Sequence, residues 1–404
     1  MFIFLINYGK IWLFYSVLIK IQDDKTKLCE KHIYRDFITI NMNPKQSIKL
    51  SKNERRVLCG ILGKPTATDK EMADYLSMSQ STLTTIRHRL RGKGYYRLVA
   101  APLMQNLGCE MLALIHTDFN PMVPLEERVQ KTSKVVEASP EIFFSLGELQ
   151  KGFSLSFSKN YTELGKINDA RTTVFGGMQL IEKEYPKEML FPFDASVVHR
   201  FLNFAPLIAS HFGIKLPGIA SGDSPSEFRQ SAPVSLSENE KMIYHAIIKS
   251  PEASFKELSA ALGVSGKTLS LVKARLEKRG LLKTIAIPDL KKLGLEILAL
   301  HIIRFNPQNP PSDIVRSTLT TDHDILVILR KFEGLRISAY ANYDECEKDR
   351  MAMFRYLREH NYVVDVPFVR TFSLNSVVII KDFDFASIVR KILGIRESRT
   401  ENRE

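Results

Sequence analysis

The sequence predicts an α+β protein assembled from two tandem copies of one unit, each a three-helix head followed by a βαββαβ module. Three observations predict it. Residues 50–121 are written a second time, without a gap, at 236–307, a shift of 186 positions. About a third of those positions are identical and the apolar ones are kept in kind, which is how a duplicated structural unit reads. The repeat resumes in FPFDASVVHRFLNFAPLIASHFGI (Phe191–Ile214) and FSLNSVVIIKDFDFASIVRKILGI (Phe372–Ile395), now shifted by 181. Within each copy, helical periodicity gives way to strand-like runs after a short basic helix. At 404 residues the chain also exceeds what one core usually serves.

In the first head, Ser51 caps a helix and Glu54 completes a capping box, with Val57, Leu58, Ile61 and Leu62 at helical spacing. The second copy repeats this with Ser237, Glu240, Ile243, Ile247 and Ile248. A second helix follows in TDKEMADYLSM and in SFKELSAALGV. Ser79 and Ser265 then cap a third helix, which buries Leu83, Ile86 and Leu90 in one copy and Leu269, Val272 and Leu276 in the other. It ends at Gly94 or Gly280, where a positive φ is usual. YYRLVAAP and LLKTIAIP are the strands expected to form wings. The second module then shows a strand at 296–305, a helix around Ile314, strands at 325–331 and 335–343, the helix ECEKDRMAMFRYLREH and strand-like residues in VPFVRTFSLNSVVII. That is a ferredoxin-like order, and the first copy follows it from Glu110 through Val198.

The third helices carry the candidate site. With its apolar residues facing inward, the first presents Ser81, Thr84, Thr85 and His88, short polar groups able to meet base edges. Arg87, Arg89, Arg91, Lys93 and Arg97 surround them, placed for phosphates. The second presents Lys267 and Ser270 together with Leu271 and Ala274, flanked by Lys273, Arg275, Lys278, Arg279 and Lys283. The first copy is therefore expected to read bases and the second to anchor on the backbone. Solvated faces of a protein-interaction module are the plainer alternative.

Composition agrees with a polyanionic partner: 57 Lys and Arg stand against 45 acids, a net charge of +12. Four scattered cysteines without a CxxC pair fit a reducing cytoplasm, and nine histidines without metal-ligand spacing predict no metal site. No Gly-rich phosphate loop or nucleophile elbow occurs, so neither a cofactor nor an enzyme is expected. Glu126–Glu127 and Asp322–Asp324 read as helix-start and turn acids. The apolar stretch in residues 1–41 is interrupted by Asn7, Gly9 and Lys10 and lacks signal-peptide features. Met42 is the expected start, in which case no membrane association follows.

The LS-x-N-E opening, the S-x-x-T-L third helix, the closing L-x-x-K/R-G and IPDLKKLGLEILAL resemble the Lrp/AsnC family of prokaryotic regulators, in an archaeal-type tandem form. Leu107-Gly108 and Leu293-Gly294 occupy the position of that family's hinge. The resemblance implies winged helix-turn-helix domains at 46–105 and 236–291, and ferredoxin-like domains at 106–214 and 292–395. The Gly-, Ser- and Pro-rich stretch at 215–235 is the expected linker, with a tail at 396–404 and an extension at 1–41 outside both units. The resemblance further implies a sequence-specific transcription regulator acting on double-stranded DNA, with homodimerisation and a small-molecule effector as further partners; where the family pairs two chains, the duplication here predicts a covalent pseudo-dimer. The family's Gly-Asp-Tyr-Asp-like turn is replaced by Glu333-Gly334-Leu335-Arg336 and by Leu149-Gln150-Lys151-Gly152-Phe153, which puts the family's effector site in question. Some family-like proteins resemble tetrapyrrole decarboxylases. Those are expected to carry His beside a Trp-bearing strand, whereas the single Trp here is Trp12 and the middle strands hold no His.

Overall fold

The computed structural model describes residues 50–181, 184–218 and 233–395. The expected extension at 1–41 and tail at 396–404 lie outside the described residues, as do 219–232 of the expected linker.

The first head is α1 (Lys52–Gly63), α2 (Asp69–Leu76) and α3 (Gln80–Gly92). Each begins on a hydroxyl cap: Ser51, Thr68 and Ser79 accept from the backbone N–H groups of Glu54, Glu71 and Thr82, worth about 1 kcal/mol apiece. Ser51 and Thr68 form complete capping boxes. Val57, Leu58, Met72, Leu76, Leu83 and Leu90 close the core of the head. Gly94 at φ 63° ends the unit. The second copy builds the same trio as α7 (Glu238–Lys249), α8 (Phe255–Leu262) and α9 (Gly266–Lys278), capped by Ser237, Ser254 and Ser265.

The strand after each head departs from the expected wing. β1 (Tyr96–Pro102) and β7 (Leu282–Pro288) pair with each other, antiparallel, Val99 opposite Ile285. A wing needs two strands from one head, and each head supplies one, so its backbone groups are satisfied by the other copy. Behind them, a 3-10 turn at Met104–Leu107 ends on Gly108 at φ 90°.

The body contains two five-stranded antiparallel sheets. β2 (Met111–Asp118), α4 (Leu125–Glu137), β3 (Ile142–Gly147), β4 (Lys151–Ser158), α5 (Tyr161–Gly177) and β5 (Lys187–Pro192) belong to the first copy. So do β6 (Ser196–Phe201) and α6 (Ala205–His211). The second copy supplies β8 (Ile297–Arg304), α10 (Asp313–Thr318), β9 (Asp324–Arg330), β10 (Glu333–Tyr340), α11 (Tyr343–Glu359), β11 (Phe368–Ser373), β12 (Val378–Lys381) and α12 (Ala386–Leu393). The last strands change places. One sheet runs β12-β3-β4-β2-β5 and the other β11-β8-β10-β9-β6, so each sheet is completed by a strand of the other copy. Aromatic rings close the space between them: Phe153 meets Phe372, Phe144 stacks on Phe383 at 4.4 Å and Phe143 on Phe385 at 4.9 Å. One apolar cluster therefore runs through both heads and both sheets. α6 packs back on α1 and α12 on α7, which fastens each head to the body. No helix among the described residues is long and apolar enough to cross a membrane.

Candidate functional site

Three places collect polar or cavity-lining residues: the outward faces of α3 and α9, the space between the sheets, and the helix-covered face of the second sheet.

On α3, Ser81, Thr85 and His88 are exposed. The Thr85 hydroxyl donates to the Ser81 carbonyl one turn back, at 2.9 Å, while Thr84 is turned partly inward and donates to Asp69 of α2. The arginines expected to reach phosphates are largely engaged within the protein. Arg87 pairs with Asp69 at 2.8 Å and also donates to the Ala67 carbonyl. Arg89 pairs with Glu54 at 2.9 Å, and in the second copy Arg275 repeats the contact with Glu240 at 2.8 Å. The Ser237 backbone N–H and Arg275 hold the Glu240 carboxyl below the usual carboxylate range. Arg91 crosses to Glu252 of the other head at 3.2 Å, and Glu252 also accepts from the Leu98 backbone N–H. Arg97 reaches Asp382 at 2.7 Å. Arg279 donates to the Ser235 carbonyl at 2.9 Å, and Lys273 lies 3.9 Å from Glu277. Lys93, Lys267, Ser270 and Lys278 are exposed and Lys283 is half-buried. The folding of α3 and α9 thus leaves Ser81, Thr85, His88, Lys267 and Ser270 exposed, turns Thr84 toward Asp69, and spends many of the cations on fixing the heads. Sequence spacing could show the outward face, not the acids that reach it from α1, α2 and the other head.

Between the sheets lies a cavity of about 550 Å³. Its walls are Phe144 and Leu155 from one sheet and Leu326 and Ile337 from the other, with Tyr96 from β1. Arg97, Lys291, Asp289 and Asp382 also border it. Of this set the sequence singled out Arg97 alone, and for another role, because the walls come from strands more than 160 positions apart. The only available signal was the alternation along β4 and β10, which marks one face of each as apolar.

The third place corrects the reading of Asp324 as a turn acid. It opens β9, is fully buried and receives Arg336 Nε at 2.9 Å and the Ser338 hydroxyl at 2.6 Å. Arg336 also meets Asp349 at 3.2 Å and the Thr321 hydroxyl at 3.0 Å. The Tyr340 hydroxyl donates to Asp349 at 2.8 Å and lies 3.3 Å from His301 Nε2. A buried carboxylate survives only when paired and hydrogen-bonded, and its partners come from β10 and from Thr321 in the turn before β9. Burial, with the Arg336 guanidinium beside it, pushes the His301 imidazole down to about 3. Burial and Arg370 push His116 down to about 4. Both folded values lie below the ordinary 6.5, so the fold favours the neutral rings. Their contribution is whole above 6.5 and is lost as pH falls towards about 4. A melting temperature that falls between pH 6.5 and 4, with a shallower fall in His301→Gln, is the expected result; scans of both proteins in one buffer series check it.

No known family model matches the chain, and no curated protein matches it. Among solved structures, a siroheme decarboxylase, NirDL, aligns over 85% of this chain and 99% of its own, at 12% identity and a TM-score of 0.46. A transcriptional regulator from Neisseria meningitidis bound to L-methionine aligns over 35% of this chain and 89% of its own, at 15% identity and a TM-score of 0.30. An AsnC-family transcriptional regulatory protein from Pyrococcus furiosus covers 36% of this chain and 89% of its own, at 21% identity and a TM-score of 0.27. The structural neighbours thus include Lrp/AsnC-type proteins, and the likeness is one of mixed α+β architecture with antiparallel sheets. The expectation that the chain is not an enzyme is corrected to this extent: a likeness in fold that extends over 85% of the chain is to an enzyme, while these regulators match about a third of it.

Proposed function

We propose that this chain binds a bulky carboxylate ligand of the tetrapyrrole class between its sheets and decarboxylates it. The observation that carries the reading is the cavity of about 550 Å³, walled by apolar side chains of both sheets and bordered by Arg97 and Lys291. Ligand pockets typically measure roughly 300–1,000 Å³ and combine apolar walls with a few charged groups. A flat apolar macrocycle suits the walls, and a carboxylate arm suits Lys291, Arg97 being held by Asp382. In the reaction, the bond between a side-chain methylene and its carboxylate breaks, carbon dioxide leaves and a proton takes its place. The commitment of Arg87, Arg89, Arg91, Arg97 and Arg275 to internal ion pairs supports heads that act as fixed struts.

Absorption titration with iron-uroporphyrin III, followed by mass spectrometry for carbon dioxide loss, tests the reading. Saturable spectral change is expected, weakened about tenfold or more in Leu155→Trp, which fills the cavity; tenfold corresponds to about 1.4 kcal/mol of binding free energy. No spectral change in the unaltered protein overturns it.

A second reading, a regulator bound to double-stranded DNA, is favoured by the exposure of Ser81, Thr85, His88, Lys267 and Ser270 on the third helices. Selection from random duplexes decides it. Enrichment of two half-sites about one helical turn apart, with no tetrapyrrole binding, puts this reading in place of the first.

A further inference from the structure

The two copies treat the space between their long helix and their sheet differently. α5 and α11 both run 17 residues from an asparagine cap, Asn160 and Asn342. On the strands, Gly152 faces Gly147 as Gly334 faces Leu329. Both relations place the copies 182 positions apart. At that offset Arg336 corresponds to Ser154, Asp324 to Ile142, Asp349 to Ile167 and Met353 to Arg171. The second copy therefore holds an arginine on the strand with two acids around it. The first holds its arginine on the helix, and both acids have become isoleucine.

Arg171 is 6% exposed. Its Nη1 donates to the Ser154 hydroxyl at 3.0 Å, and its guanidinium lies over the Phe175 ring. Its Nε has no partner, and neither do the buried Nδ2 and Oδ1 of Asn168, one turn before it on α5. These two residues line a cavity of about 350 Å³ between α5 and the start of β5, with Thr172 and Tyr185. Exposed Asp169 and Glu188 stand at the same cavity. A buried guanidinium facing open space with no ion pair, and only the charge of exposed Glu188 to offset its burial, is costly unless an anion completes it.

We propose that this cavity is a binding site for a small monocarboxylate, held by Arg171 with Asn168 and present in the first copy alone. Arg171 offers its Nε edge to the carboxylate, a charge-assisted contact, and the Asn168 amide donates beside it. Asp169 and Glu188 disfavour multiply charged anions at the mouth, which restricts the site to a single negative charge. It is separate from the cavity between the sheets and does not depend on what that cavity binds.

The test is a thermal-shift titration of the full chain with sodium acetate at constant ionic strength, chloride making up the balance. A saturable rise in melting temperature is expected, and no rise in Arg171→Met, which installs the residue that the second copy carries there. Because that variant also removes a buried charge that no ion pair holds, it is expected to melt at or above the unaltered protein in chloride alone. If Arg171→Met does not fold, Asn168→Leu takes its place and is expected to weaken binding roughly tenfold, as loss of a hydrogen bond to a charged group does. Fluorine line broadening of trifluoroacetate by the unaltered protein, reversed by acetate, is an independent readout. No saturable response in either measurement overturns the proposal, as does an equal response in the folded variant. Neither outcome bears on the tetrapyrrole titration, since Leu155→Trp leaves this cavity intact.

Discussion

Asp324→Ala is expected to destabilise the protein by about 3–5 kcal/mol, because it leaves a buried charge without its main partner. Asp324 and the Arg336 side chain are both fully buried, and Arg336 sits between Asp324, Asp349 and Thr321. Removing the carboxylate also orphans the Ser338 hydroxyl. The double variant Asp324→Ala, Arg336→Met is expected to recover part of the loss, since apolar replacement of a buried ion pair is often neutral or favourable. Urea unfolding of the two variants measures both effects. A loss under about 1 kcal/mol in the single variant would place the pair among weak surface bridges and contradict its burial.

Phe143→Ala is expected to cost about 3–5 kcal/mol, the range for emptying a buried aromatic site. Phe143 is fully buried and stacks on Phe157 of its own sheet at 4.6 Å and on Phe385 of the other copy at 4.9 Å. Phe385 caps α12, and the Asp384 backbone N–H donates to the Phe143 carbonyl at 2.9 Å. The ring thus anchors the exchanged segment β12–α12 to the sheet it completes. Hydrogen exchange is the discriminating measurement: faster exchange across 378–393 than across β8 and β10 is expected. Uniform acceleration would mean that the exchanged segment is not a separately opening unit.

Much of the local structure was legible in the sequence. Ser51, Ser79, Ser237 and Ser265 cap the helices for which their spacing predicts them, and Gly94 and Gly280 take the positive φ that ends each head. These features are short-range: a hydroxyl three residues before a free N–H, or a residue without Cβ where the chain turns left-handed. The capping boxes at Thr68 and Ser254 were equally readable from Glu71 and Glu257. The candidate site was less legible. Alternation on β4 and β10 marks apolar faces, but nothing in it says that Leu155 and Ile337 border one cavity. Nor does the spacing of basic residues on α3 reveal that Glu54 and Asp69 wait for two of them, or that Glu252 arrives from the other head.

The sequence by itself determined the mixed α+β plan and the order and caps of the helices in both heads, because periodicity and capping act between residues a turn apart. Only the tertiary structure decided that β1 pairs with β7, that β6 and β12 complete each other's sheets, and that Asp324 is buried beside Arg336. It alone also set Arg171 beside an open cavity. Strand pairing satisfies backbone groups with whichever edge packing brings near, and a buried charge is tolerated only where distant residues converge on it. Both depend on contacts across more than a hundred residues, which a local pattern does not encode.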